Sequence, residues 1–333
     1  MGESSTRTEL AAAETWFSRN GLTYFVPSER AAARQALKPG RTAPLLLVVA
    51  VVAGTLGGLL AWWVGELSAA PALLVSLGLA ALGWYALTAL RLRPILAWAL
   101  GRTFGSLRLL LPMATRALPL LLLFMTFLFI NAEVWQLSAS LAPGVLWLLV
   151  LLLGGLAVAF LLVRLPEEVD RADDAVDDAF LRRACRGTPL EAACEELLAD
   201  ATADPASRAE VTGFERWNLV LVLLVIQAVQ VLLLVAMVFA FFLLFGSLAM
   251  GEQVQLAWTA RESITSLTWL PSVSVELVKV ALFLAAFSGL YFTVSAVTDE
   301  TYREQFFSGV TRHVERAVGM RAVYLTLRAR AAD

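Results

Sequence analysis

The sequence predicts an all-α fold: a polytopic membrane bundle of six transmembrane helices in three hairpins, with amphipathic helices on the cytosolic side. Three observations predict it. Six apolar runs, near 44–64, 71–90, 118–138, 145–163, 217–245 and 276–297, each reach the roughly 20 residues that a helix needs to cross hydrocarbon. The 333 residues are 59% hydrophobic and only 16% charged, with mean hydropathy +0.73, outside the range of soluble domains. Lys and Arg, finally, collect on alternate connections. Segments 1–43, 91–117, 164–216 and 298–333 hold 24 of the 26 basic residues, and only Arg261 and Lys279 fall elsewhere. Positive charge favours the cytoplasmic face. The expected orientation therefore has both termini inside a bacterial plasma membrane.

Tryptophan placement agrees. Trp62, Trp63, Trp135, Trp147, Trp258 and Trp269 fall at or beyond outer span ends, and Trp84, Trp98 and Trp217 near inner ones. Indole favours the headgroup level, where its ring is apolar and its N–H is wet.

In chain order, 1–43 reads as cytosolic and amphipathic. Thr8 to Arg19 forms one helix and Ser28 caps a second that runs to Leu37. Leu22 to Val26, between them, is too apolar to stay undocked. The region 44–163 carries four spans, interrupted by the Arg-rich linker 91–117. That linker holds Arg91, Arg93, Arg102, Arg108 and Arg116 without a single acid, and suits the anionic headgroup layer of the inner leaflet.

The segment 164–216 is the acidic cytosolic part. Asp170, Asp173, Asp174, Asp177 and Asp178 recur at one-face helical spacing, as a divalent-cation or partner stripe or as a solvated face. Thr188-Pro189-Leu190-Glu191 reads as a capping box opening a second helix. Residues 217–297 hold the last two spans, joined by an outer loop at 246–275 that suits a short amphipathic helix on the leaflet. The tail 298–333 is expected to be one long amphipathic helix, opening at Thr298-Asp299-Glu300 and packing on the cytosolic face.

Catalytic motifs are missing from the chain. His313 is its one histidine, no phosphate-binding glycine loop or nucleophile elbow occurs, and Cys185 and Cys194 lack the spacing of a zinc or redox motif. The expectation is no enzyme, no cofactor and no metal centre. The net charge of −2 and the lack of a basic, aromatic-interleaved patch point away from nucleic acid. Both cysteines are expected to be reduced and cytosolic.

Attention then falls on polar groups inside the spans, where each must meet a partner or water. Asn131 and Glu133 lie near the outer end of the third span and Lys279 near that of the sixth, so Glu133 and Lys279 are expected to approach one another. Gln227 and Gln230 share a face of the fifth span, and Ser288, Tyr291 and Ser295 a face of the sixth. They serve either as the lining of a polar path or as interhelical contacts.

The stretches Phe129-Ile130-Asn131-Ala132-Glu133-Val134-Trp135-Gln136, Ala286 to Phe292 and Val297 to Arg303 resemble multi-spanning membrane proteins of high-GC actinobacteria. The resemblance implies the class and carries no activity. The leading functional expectation is a homo-oligomeric permeation or transport protein for an ion or small solute. The alternatives are a non-transporting scaffold or accessory subunit, or a membrane effector or sensor acting through the acidic segment. Its expected partners are the bilayer and anionic lipid at the inner face.

Overall fold

The computed structural model describes residues 3–105, 121–200, 202–268, 270–298 and 300–331. The chain is helical almost throughout, and five helices are long and apolar enough to cross a membrane. These are α3 (Pro39–Val64), α4 (Ala69–Thr88), α8 (Pro143–Asp174), α11 (Gly213–Ala249) and α13 (Val275–Thr298). A sixth crossing is present if α6 (Leu121–Phe129) and α7 (Ala132–Ser140) count together, although they meet at a 75° bend. Length and composition thus fit a membrane-embedded protein.

The bend corrects the expectation of one continuous span over 118–138, of which 118–120 lie outside the described residues. Asn131 adopts an extended conformation and accepts the Glu133 amide N–H at 2.8 Å, which starts a new helix. The Trp135 indole N–H donates to the Phe129 carbonyl at 2.8 Å and so occupies an acceptor that the break sets free. An unpaired carbonyl in an apolar setting would cost too much for the bend to persist otherwise.

Two helices outrun any bilayer. At about 1.5 Å per residue, α11 with its 37 residues extends about 55 Å and α8 with 32 about 48 Å, against roughly 30 Å of hydrocarbon. Their surplus lies at the end where both chain termini sit, here called proximal. There they meet α1 (Glu3–Arg19), α2 (Pro27–Ala36), α5 (Arg93–Gly105), α9 (Asp178–Cys185), α10 (Glu191–Ala199) and α14 (Glu300–Arg330). Phe17, Phe25, Ile95, Leu165, Leu181, Leu197, Leu219 and Val318 are all buried in one continuous core. The described parts of the four polar segments therefore form one helical cap.

A second core fills the distal half, where Met125, Phe129 and Trp135 pack against Phe242 of α11 and Leu277 and Ala281 of α13. Close approach here depends on glycine: a Cβ on Gly246 would sit 2.3 Å from a Leu277 methyl. The α3–α4 pair stands to one side, bound through Gly57, where a Cβ would lie 2.8 Å from the Ala70 carbonyl oxygen. Beyond α11, the distal connection contains a helix as expected, α12 (Glu252–Thr259). It also holds an antiparallel hairpin of β1 (Ser266–Leu267) and β2 (Leu270–Ser274), which the sequence reading missed.

Other expectations shift in detail. Leu22 to Val26 does dock, as a short 3₁₀ turn against α11. The linker helix α5 buries only a narrow stripe of Ile95, Ala99 and Thr103 against α11, too sparse for the sequence pattern to announce. Arg108 and Arg116 lie outside the described residues. Trp62, Trp63, Trp84, Trp147 and Trp217 are exposed, as headgroup anchors should be. Trp135 is instead fully buried, and Trp98 stacks on His313 within the cap. Trp269 lies outside the described residues.

Candidate functional site

The most heavily connected polar group lies at the foot of α11. Gly213, at φ +61°, lets the chain turn into the helix, and Glu215 follows in its first turn, 3% exposed. A carboxylate there is favoured by the partial positive charge of the helix N-terminus. Its two oxygens take different partners. Arg30 of α2 approaches Oε1 at 2.7 Å, and Arg321 of α14 donates from Nε to Oε2 at 2.5 Å. Arg321 Nη1 also donates to the carbonyls of Arg208 and Glu210, each at 2.9 Å. One buried carboxylate thus joins the N-terminal segment, the last helix and the longest span.

Asn218, one turn further along α11, is fully buried and works as a backbone surrogate. It accepts the Tyr24 amide N–H at 2.7 Å and donates to the Gly21 carbonyl at 2.8 Å. The Tyr24 hydroxyl continues the chain of bonds to the Leu90 carbonyl at 2.6 Å, just past α4, and burial pushes its pKa up to about 12. On the neighbouring face of the cap, Tyr324 donates to Glu14 Oε1 at 2.6 Å.

His313 stacks on the Trp98 ring with centroids 4.0 Å apart. The residue is half-buried, and its Nε2 is shielded with no hydrogen-bond partner among the described residues. Burial, reinforced by the charges of Arg102 and Arg316, pulls its pKa down to about 3. Cys185 and Cys194 are free thiols buried between α9, α10 and α14. Cys185 donates to Cys194, which together with burial raises the pKa of Cys185 and, against the effect of burial, lowers that of Cys194.

The acidic stripe is not one face of one helix. α8 ends at Asp174 and α9 starts at Asp178, with Asp177 extended between them and capping α9 through the Phe180 N–H at 2.6 Å. Asp170 pairs with Arg216 at 2.7 Å, and Asp173 accepts the Val211 N–H at 3.0 Å. Asp174 and Asp178 flank the break. The aspartates that do bond are thus each taken by a separate local task. Among the described residues no three His, Cys, Asp or Glu side chains converge as metal ligands. The capping box also differs, since α10 begins only at Glu191, whose carboxylate reaches back to the Gly187 N–H at 2.8 Å.

The expected Glu133–Lys279 pair does not form. Because α7 turns away from α6, Glu133 is exposed in a separate helix. Lys279 donates to the Leu141 and Ala139 carbonyls at 2.7 and 3.3 Å, at and just past the C-terminus of α7. Arg261 donates to the same Ala139 carbonyl at 2.6 Å and pairs with the buried Glu276 at 3.2 Å. Positive groups at a helix C-terminus are electrostatically favoured.

Ser288 is buried and bonds back to the Leu284 carbonyl, whereas Tyr291 is exposed and stacks on Phe124, so the two do not share an environment. Gln227 is 0% exposed with both amide atoms unbonded among the described residues, and Gln230 Oε1 is likewise unbonded. No hydrogen bond or ion pair joins any two of Asn131, Glu133, Gln227, Gln230, Lys279, Ser288 and Tyr291.

Sequence reasoning missed Glu215, Asn218, Arg30 and Arg321. The signal was present: Glu215 and Asn218 lie three apart where the longest apolar run begins, the spacing of one helical face. Starting that span at Trp217 placed the carboxylate in a loop and hid it. No family model, no curated protein and no solved structure matches this chain.

Proposed function

We propose that this is a multi-pass protein of the bacterial plasma membrane, with both termini cytoplasmic, that acts through its helical cap as a membrane-held effector or scaffold. The observation that carries this reading is the shared grip of Arg30 and Arg321 on buried Glu215, which makes the cap and the fifth span a single mechanical piece. The arginine distribution supports the orientation. The placement of Asn131, Lys279 and Ser288 in bonds to backbone supports a structural task for those three polar groups.

The second reading, a homo-oligomeric permeation protein, draws support from the unpartnered amide of Gln227. Proteoliposomes separate the two. Under potassium, sodium and proton gradients the effector reading expects flux equal to that of empty vesicles. A flux that Gln227→Leu abolishes would establish permeation in its place.

A further inference from the structure

Between the proximal end of α4, the start of α5 and the N-terminal segment lies a cavity of about 560 Å³. That volume suits a small ligand or a headgroup. Ser18, Thr23, Glu29, Thr88, Arg91 and Arg93 supply its polar wall. Leu87 and Thr88 close an apolar span, so the cavity sits at the level where hydrocarbon gives way to headgroups.

The wall is built with evident local cost. Arg91 holds φ at +55°, a left-handed conformation that disfavours every residue with a Cβ by about 1–2 kcal/mol. This turn places Arg91 and Arg93 on the same cavity. Arg91 is paired with Glu29 at 2.6 Å, so those two charges offset each other. Arg93 is exposed and makes no hydrogen bond or ion pair among the described residues, which leaves the cavity a net positive charge.

We propose that the cavity binds a phosphate group, with Arg93 as its cation. The group is presented by an anionic phospholipid headgroup or by a soluble phosphate ligand. The assignment rests on α4 crossing a membrane, and it is independent of whether the protein conducts.

The test uses the full chain in mild detergent, with its melting temperature followed during titration by phosphatidylglycerol, phosphatidylcholine or inorganic phosphate. Phosphatidylglycerol should raise the melting temperature of the wild type. Arg93→Ala should need about fivefold more of it, the effect of one guanidinium beside anionic lipid. Arg93→Lys keeps the charge and should lose less than Arg93→Ala. Arg183→Ala, an exposed arginine of α9 away from the cavity, should titrate like the wild type. Inorganic phosphate reproducing the Arg93-dependent shift upholds the site and assigns it to a soluble ligand. The proposal is overturned if no probe shifts the wild type, if Arg93→Ala titrates normally, or if Arg183→Ala loses as much as Arg93→Ala.

Discussion

Arg321 donates to Glu215 at 2.5 Å across a separation of 106 residues, and the same carboxylate holds Arg30 at 2.7 Å on its other oxygen. Replacing Glu215 by Gln leaves two guanidinium groups facing a neutral amide in a largely dry setting. Removing one partner of a buried pair costs about 3–5 kcal/mol. The expected result is a large fall in melting temperature, with protease cutting early in residues 1–36. The triple replacement Arg30→Met, Glu215→Met, Arg321→Met should recover most of that loss, because a well-packed apolar trio removes the desolvation cost together with the attraction.

Gln227→Leu is the sharpest probe of the interior of the spans. An amide with neither atom bonded is a standing cost of about 1–3 kcal/mol. If the side chain has no ligand, the leucine variant should match or exceed the wild type in thermal stability. A clear loss of stability would mean that water or an ion meets the amide and would favour permeation.

His313 makes the cap acid-sensitive. Its folded-state pKa lies near 3, so as the pH falls below the ordinary value of 6.5 the unfolded chain takes up a proton that the folded chain refuses. Stability is therefore full above about pH 6.5 and declines progressively toward pH 3. Between pH 7 and 5 the loss should be about 2 kcal/mol. His313→Phe keeps a ring to stack on Trp98 and should flatten the pH dependence over that window, read from melting temperatures in matched buffers.

Asn131→Ala should cost about 1 kcal/mol through the lost cap of α7, and Asn131→Asp should retain most of it. Because the Trp135 indole bonds the Phe129 carbonyl across the break, its fluorescence, read in a background that keeps Trp135 as the single tryptophan, reports whether the 75° bend survives. An unshifted emission maximum in Asn131→Ala would show that the bend does not depend on the cap.

Much of the architecture was legible because hydrocarbon imposes one rule on every backbone amide. The positions of five of the six long apolar helices, the docking of Leu22 to Val26 and the long final helix followed from apolar runs and helical spacing. The break at Asn131 was not, since a polar residue in an apolar run reads equally as a cap, a ligand or an interhelical contact. Pairing failed for a related reason. Depth along an assumed straight helix put Glu133 opposite Lys279, and the bend removed the common axis on which that estimate stood. The aspartate stripe misled in the same way, because its spacing continued through a helix end. Glu215 and Arg321, separated by 106 residues, become neighbours only when α14 folds back onto the foot of α11.

The cap draws on the earliest and the latest parts of the chain, and Tyr324 reaches Glu14 across 310 residues. During synthesis, then, the side of α1 that α14 covers must wait while the intervening helices are made, although the turn after α1 can already dock on α11. Only when α14 emerges from the ribosome can that surface be sealed. A nascent chain stalled before α14 should be handed to quality-control proteases, and cellular abundance should track completion of synthesis more closely than membrane insertion.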